Sequence, residues 1–205
     1  MSNPISRLFS LLGVSVTVMG VRNSKEAGYR ALSDDGNIQI RLYQPMLVAE
    51  TEIEADYSQA GKIGFNRLAG YIFGGNERKQ EIAMTTPVFR TAVGPNETLH
   101  TAIQSTSEIN HWIMSFVMPA KFALKTLPQP SDSLVMLKSI PAKKVATLRY
   151  SGSLNQARII EYSQILIAWL DERDIKRLSS PKSAAYDPPW TIPSLRRNEI
   201  HIDIE

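Results

Sequence analysis

Three observations predict an α+β domain built on a duplicated strand–helix unit. Short segments with period-two alternation, bounded by proline, recur along most of the chain. Only two segments, opening near Asp56 and Ser153, carry apolar residues at helical spacing. Each of those follows the same order of strand, proline and strand. Pro45 precedes Gln59-Ala60 by fourteen positions, and Pro141 precedes Gln156-Ala157 by fifteen. An internal duplication is the economical reading of that spacing. Mostly local antiparallel connections around two helices then give the α+β class.

The 205 residues suffice for one domain with a sizeable core, with 43% apolar and 21% charged residues. Lys+Arg number 23 against 20 Asp+Glu, mixed along the chain, which argues against a nucleic-acid partner. There is no cysteine, so disulfides, thiolate ligands and cysteine nucleophiles are excluded together.

Residues 1–21 form an apolar leader. Leu8 to Val21 carries no charge, follows Arg7, and is shorter than the about 20 residues a spanning helix needs. It suits a signal-peptide core, with Val18-Met19-Gly20 offering small residues for cleavage. The expectation is an exported (periplasmic) or membrane-tethered protein. The alternative is an ordinary buried segment of a cytoplasmic one.

Residues 22–205 make the domain. A polar linker leads to Ile38–Tyr43, a half-buried strand with Ile38, Ile40 and Leu42 inward. Leu47 to Ile53 alternates again, with Glu50, Glu52 and Glu54 on a solvated face. The first helix spans 57–73. Phe65, Leu68, Ala69 and Ile72 form its apolar stripe, Asp56 with Gln59 its capping box, and Gly74-Gly75-Asn76 its stop. Gly61, Gly64 and Gly70 inside it each cost roughly 1 kcal/mol relative to alanine. Either the helix packs tightly on the sheet, or it offers a smooth wall to a flat ligand.

Ile82 to Phe89 is strand-like, with Pro87 marking an edge or bulge. A turn at 94–97 and strands at His100–Gln104 and His111–Met118 follow. Trp112, Met114, Phe116 and Met118 share one face and read as core. After strands near Val135 and at Val145–Tyr150, the second helix runs to Leu170, with Ser153 and Gln156 as its capping box. A proline-stiffened loop, 179–193, precedes a last strand with Ile200, Ile202 and Ile204 inward. His111 and His201 lie opposite the apolar rows and read as surface residues.

Gly74-Gly75-Asn76, Met84-Thr85-Thr86-Pro87-Val88, Phe116-Val117-Met118-Pro119, Tyr186-Asp187-Pro188-Pro189 and Arg197-Asn198-Glu199, in this order, resemble the SOUL/haem-binding family over Val21 to Ile204. The resemblance implies a pseudo-twofold, distorted antiparallel β-barrel flanked by two helices. It also implies a shallow apolar cleft between helix 57–73 and loop 179–193 that binds haem or another tetrapyrrole without catalysis. Carried onto this sequence, that cleft would use Lys62, Phe65, Leu68, Ala69, Ile72, Tyr186, Pro188 and Trp190. Lys62 stands where some members place a basic partner for a propionate. Two further basic positions of the family are Gly70 and Thr191 here, and a histidine considered as an axial ligand is Leu42. Haem is thus expected to bind non-covalently, without a strong axial protein ligand.

Two other functions fit the residues. The cleft of an envelope protein would take a lipid or a partner peptide. Alternatively, Tyr71, Tyr186 or Glu199 would serve as acid or base on a hydrophobic small molecule.

Overall fold

The computed structural model describes residues 24–93 and 110–205. The leader, the turn at 94–97, the strand expected at 100–104 and His100 lie outside the described residues. The elements are β1 (Lys25–Glu26), β2 (Tyr29–Asp35), β3 (Ile38–Tyr43), β4 (Met46–Glu54), α1 (Tyr57–Ile72), β5 (Thr85–Thr86), β6 (Val88–Ala92), β7 (His111–Val117), β8 (Met136–Ile140), β9 (Lys143–Tyr150), α2 (Gln156–Asp171), β10 (Lys182–Ala185) and β11 (Asn198–Ile204). Nine strands form one antiparallel sheet, ordered β2-β3-β9-β11-β10-β6-β7-β4-β8 and curled into a half-barrel. β1 and β5 make a separate parallel pair.

The duplication is visible in the topology. Without β2, the sheet order reads alike from either end when β3, β9, β11 and β10 are matched with β8, β4, β7 and β6. Each copy is then strand, strand, helix, strand, strand. The first strand of each copy pairs with the second strand of the other, β3 on β9 and β8 on β4. The helices obey the same relation: α1 lies on β4 and β7, and α2 on their counterparts β9 and β11.

Each helix closes one half of the core. α1 buries Leu68, Ala69, Tyr71 and Ile72, and its side of the core holds Ile53, Trp112, Met114 and Phe116. Leu166 and Leu170 of α2 pack in a second cluster with Ala146, Leu148, Ile200 and Ile202. The Trp112–Met118 row is core, as its spacing predicts. Asp56 caps α1, its carboxylate accepting from the Ser58 and Gln59 amides. α2 is capped by Asn155, whose side chain accepts from Arg158 N, and not by Ser153. Gly74 ends α1 with φ of 100°, a conformation glycine adopts without strain.

Several expectations are corrected. The stretch expected as a linker contains β2, whose residues are exposed throughout and so carry no burial alternation. Loop 179–193 contains β10, a four-residue strand of one lysine and three small side chains at the middle of the sheet. Pro87 precedes an interior strand, not an edge, and sits in the gap between β5 and β6. The largest correction concerns faces. Alternation implies one wet side for β3 and β11, but the curl of the sheet covers that side too. Arg41 is 3% exposed and His201 2% exposed, so His201 is a buried residue and not a surface one. Glu50, placed with Glu52 and Glu54 on a solvated face, is also buried and pairs with Lys138.

Candidate ligand-binding site

α1 packs mainly on β4 and β7 and α2 on β9 and β11, so the central strands β6 and β10 lie between the two helices. The strip of sheet between α1 and α2, along the pseudo-twofold relation, is the floor of the candidate trough. Arg90 stands in register with Met114 and Val88 with Phe116, so both share the helix-side face. Their neighbours on β10 are Ser183 and Ala185.

Arg90 is the unusual residue of this floor. It is 9% exposed, and no carboxylate among the described residues pairs with it. Its guanidinium lies 3.6 Å from the centre of the Tyr57 ring, and Nη1 donates to the Tyr57 carbonyl at 2.9 Å. Burial lowers its pKa from the usual arginine value, opposed in part by Tyr57. Gly61 of α1 makes this possible, because a Cβ there would stand 2.7 Å from Arg90 Nη1. Gly64 has the packing explanation: its Cβ would meet Ile53 Cδ1 at 2.9 Å. Gly70 faces open space, and nothing in the structure explains it.

The α2 side supplies aromatic surface. Tyr150 and Tyr162 stack with ring centres 4.1 Å apart, and Arg158 Nη2 donates to the Tyr162 hydroxyl at 3.0 Å. Tyr57 Oη and Tyr150 Oη are buried without a hydrogen-bond partner among the described residues. Burial pushes both phenols above their ordinary pKa. They are therefore neutral donors at physiological pH.

The residues expected to line a cleft are distributed as follows. Phe65 is half-buried, edge-on to Phe116 with centres 5.5 Å apart, and Lys62 is exposed on α1. Leu68, Ala69 and Ile72 are fully buried under α1, where the sheet already covers them. Pro188 and Trp190 are half-buried in the segment joining β10 to β11. Tyr186 turns to the opposite face, its hydroxyl donating to Glu199 Oε2 at 3.0 Å. Arg90 was missed because an arginine in Val88–Ala92 reads as the polar side of an edge strand.

The inner face of the half-barrel holds a dense charge cluster. Arg41 grips Glu199 with two bonds, Nη1 to Oε2 at 2.7 Å and Nη2 to Oε1 at 3.1 Å. Arg197 Nε donates to Oε1 at 2.9 Å, and His201 Nε2 lies 2.7 Å from Oε2. Burial favours the neutral acid, but His201 and Arg41 outweigh it and hold the Glu199 carboxyl well below the usual range. Burial lowers the pKa of His201, opposed by Glu199. Facing an acceptor-only carboxylate, Nε2 of the neutral ring carries the proton. Glu199 and Tyr186 are thus committed to each other and to the arginines.

Neither His111 nor His201 approaches the trough. His201 belongs to the inner face, and His111 Nε2 lies 3.3 Å from Glu52 at the start of β7. Among the described residues no group of His, Cys, Asp and Glu has metal-binding geometry. Nor is any described helix long and apolar enough to cross a membrane.

The family model described as SOUL heme-binding protein matches residues 24–203. Heme-binding protein 2 of Mus musculus is 29% identical over 173 residues, covering 80% of this chain and 77% of that protein. Heme-binding protein 2 of Homo sapiens is 38% identical over 66 residues, 30% of this chain and 32% of that one. Among solved structures, the EcmrR C-terminal domain superposes with a TM-score of 0.60 at 16% identity, covering 86% of this chain and 98% of that one. A hydrolase from Listeria innocua gives 0.53 at 8% identity, covering 85% and 94%. At these identities the two structures share the fold with this chain.

Proposed function

The chain belongs to the SOUL heme-binding protein family, and from that premise we propose that it binds haem or a related tetrapyrrole. The site we propose is the trough between α1 and the segment 179–193, floored by β6 and β10, and its role is binding without catalysis. The observation that carries this reading is Arg90, a buried cation beside an aromatic wall with no acidic partner among the described residues. A ligand bearing a carboxylate on a flat apolar body supplies the missing countercharge and covers Phe65 and Tyr57. Lys62, being exposed, adds about 0.2–1 kcal/mol at most.

The residues fit the acid groups and the flat face of such a ligand, while no described histidine is placed to ligate its iron. A covered ligand face of about 150 Å² at roughly 25 cal/mol/Å² contributes near 4 kcal/mol before ordering costs. A charge-assisted hydrogen bond to Arg90 adds about 1.5–3 kcal/mol. Micromolar affinity is therefore the ceiling without iron ligation.

Titrating ferric haem into the protein and following the Soret band tests the proposal. Phe65→Asp is expected to weaken binding by at least about tenfold, since it buries a charge against the ligand face. His100→Ala and His111→Ala are expected to leave binding unchanged, with thermal melts confirming that each variant is folded. A histidine variant that loses the Soret shift while Phe65→Asp keeps it would make that histidine the anchor.

We also propose that Leu8–Val21 directs export or tethering, on its apolar, uncharged run after Arg7. Cell fractionation with N-terminal sequencing is expected to find the protein in the envelope. An intact N-terminus in a soluble cytosolic pool would end that proposal.

A further inference from the structure

A cavity of about 240 Å³ lies inside the half-barrel, on the face of the sheet opposite the helices. It is smaller than the roughly 300–1,000 Å³ of pockets that enclose drug-sized ligands, so a tetrapyrrole does not fit. Val48, Phe89, Ile113, Ile140 and Val145 give it apolar walls.

Its polar groups gather at one place. Asp203 Oδ2 receives both Lys143 Nζ at 2.8 Å and Lys182 Nζ at 2.7 Å. The three side chains are 28%, 21% and 18% exposed for Lys143, Lys182 and Asp203, so this end meets solvent. Val48, Val145 and His201 are buried deeper in the wall. The other charged or titratable lining groups are Glu50, His201 and Tyr43. Glu50 pairs with Lys138, and burial keeps the His201 ring neutral beside Glu199. Two lysines sharing one carboxylate leave one positive charge over. Burial, only partly offset by Asp203, pushes the Lys182 ammonium down to about 8.

From this arrangement we infer that the half-barrel cavity is a second binding site, for a small amphiphile with one carboxylate and an apolar tail. The carboxylate sits between Lys143 and Lys182 at the open end, and the tail enters toward Val48, Ile113 and Val145. An anion there supplies the charge that Asp203 alone does not, and the apolar walls supply the burial. The inference is independent of the trough, which lies on the other face of the sheet.

Calorimetric titration of the full chain with butyrate, hexanoate, octanoate and dodecanoate tests it, with octanol and octylammonium as charge controls. Octanoate is expected to bind at least about tenfold more tightly than octanol at neutral pH, and octylammonium not to saturate. An optimum at the middle lengths points to a free short-chain acid, and affinity still rising at dodecanoate to a lipid-derived acyl chain. Affinity for octanoate is expected to fall several-fold between about pH 7 and pH 9, as Lys182 loses its proton. Lys182→Met is expected to remove both the pH dependence and the preference over octanol. Ile113→Trp is expected to abolish binding by filling the cavity while leaving haem titration unchanged. Equal binding of octanoate, octanol and octylammonium by the wild type, or no saturation by any acid, overturns the inference without reference to any variant.

Discussion

Glu199→Ala is expected to lower the unfolding free energy by about 3–5 kcal/mol, the usual loss when one partner of a buried ion pair is removed. The substitution strands Arg41 on the inner face, leaves Arg197 with Glu26 alone, and deletes the acceptor of Tyr186 and His201. For a domain of this size the melting temperature should fall by on the order of 10 °C. The pH profile has a defined sign. The carboxyl is held below its ordinary 4.5, so its contribution is complete above that value and is lost as pH falls toward the folded-state value. His201 acts in the same direction, because the unfolded ring protonates below about 6.5 while the buried ring resists. Stability of the wild type should thus rise from about pH 4 to pH 7. Urea titrations across that range check both points. Glu199→Gln should flatten the acid limb below about pH 4.5 and keep the slope near pH 6. A wild-type stability that is level across the range would mean the cluster contributes little.

What was legible in the sequence follows from which interactions are local. α1, α2, the Asp56 cap and the Trp112–Met118 row announce themselves through period, and the duplication through the repeated strand–proline–strand–helix order. β2 and β10 were hidden because neither carries an alternating apolar pattern, one being wholly exposed and the other a lysine followed by three small residues. The inner face was hidden for a different reason. Arg41 and Glu199 are 158 positions apart, and only the curl of the sheet brings their polar faces together. One sign was nevertheless present: Gln39, Arg41 and Tyr43 alternate with apolar residues on β3 just as Glu199, His201 and Asp203 do on β11. Two strands with matched charge on their supposed wet sides point to a shared interior. The site reading suffered from the same limit. Period alone identifies the stripe Phe65, Leu68, Ala69 and Ile72 but cannot divide it between the sheet below and a ligand beside it. The glycines carried the better signal, since Gly61 marks where Arg90 approaches the helix.

Arg90→Met is expected to separate binding from folding. A buried arginine with no acidic partner among the described residues pays desolvation with no ion pair in return, so an apolar side chain of similar length should leave stability unchanged or raise it. The cation–π contact with Tyr57, lost in the exchange, is worth about 0.5–2 kcal/mol and sets the scale of any decrease. Ligand binding should respond differently. If Arg90 meets the carboxylate of a tetrapyrrole, the variant loses about 1.5–3 kcal/mol, roughly ten- to 150-fold in affinity for haem. Haem dimethyl ester carries no free acid, so it should bind wild type and Arg90→Met alike, and both about as weakly as haem binds the variant. Arg90→Lys should recover part of the loss, because an ammonium keeps the charge but not the forked geometry. Paired titrations of haem and its dimethyl ester into the three proteins, with urea midpoints alongside, decide the matter. Equal haem affinity in wild type and Arg90→Met would remove Arg90 from the site and leave its burial a feature of the fold.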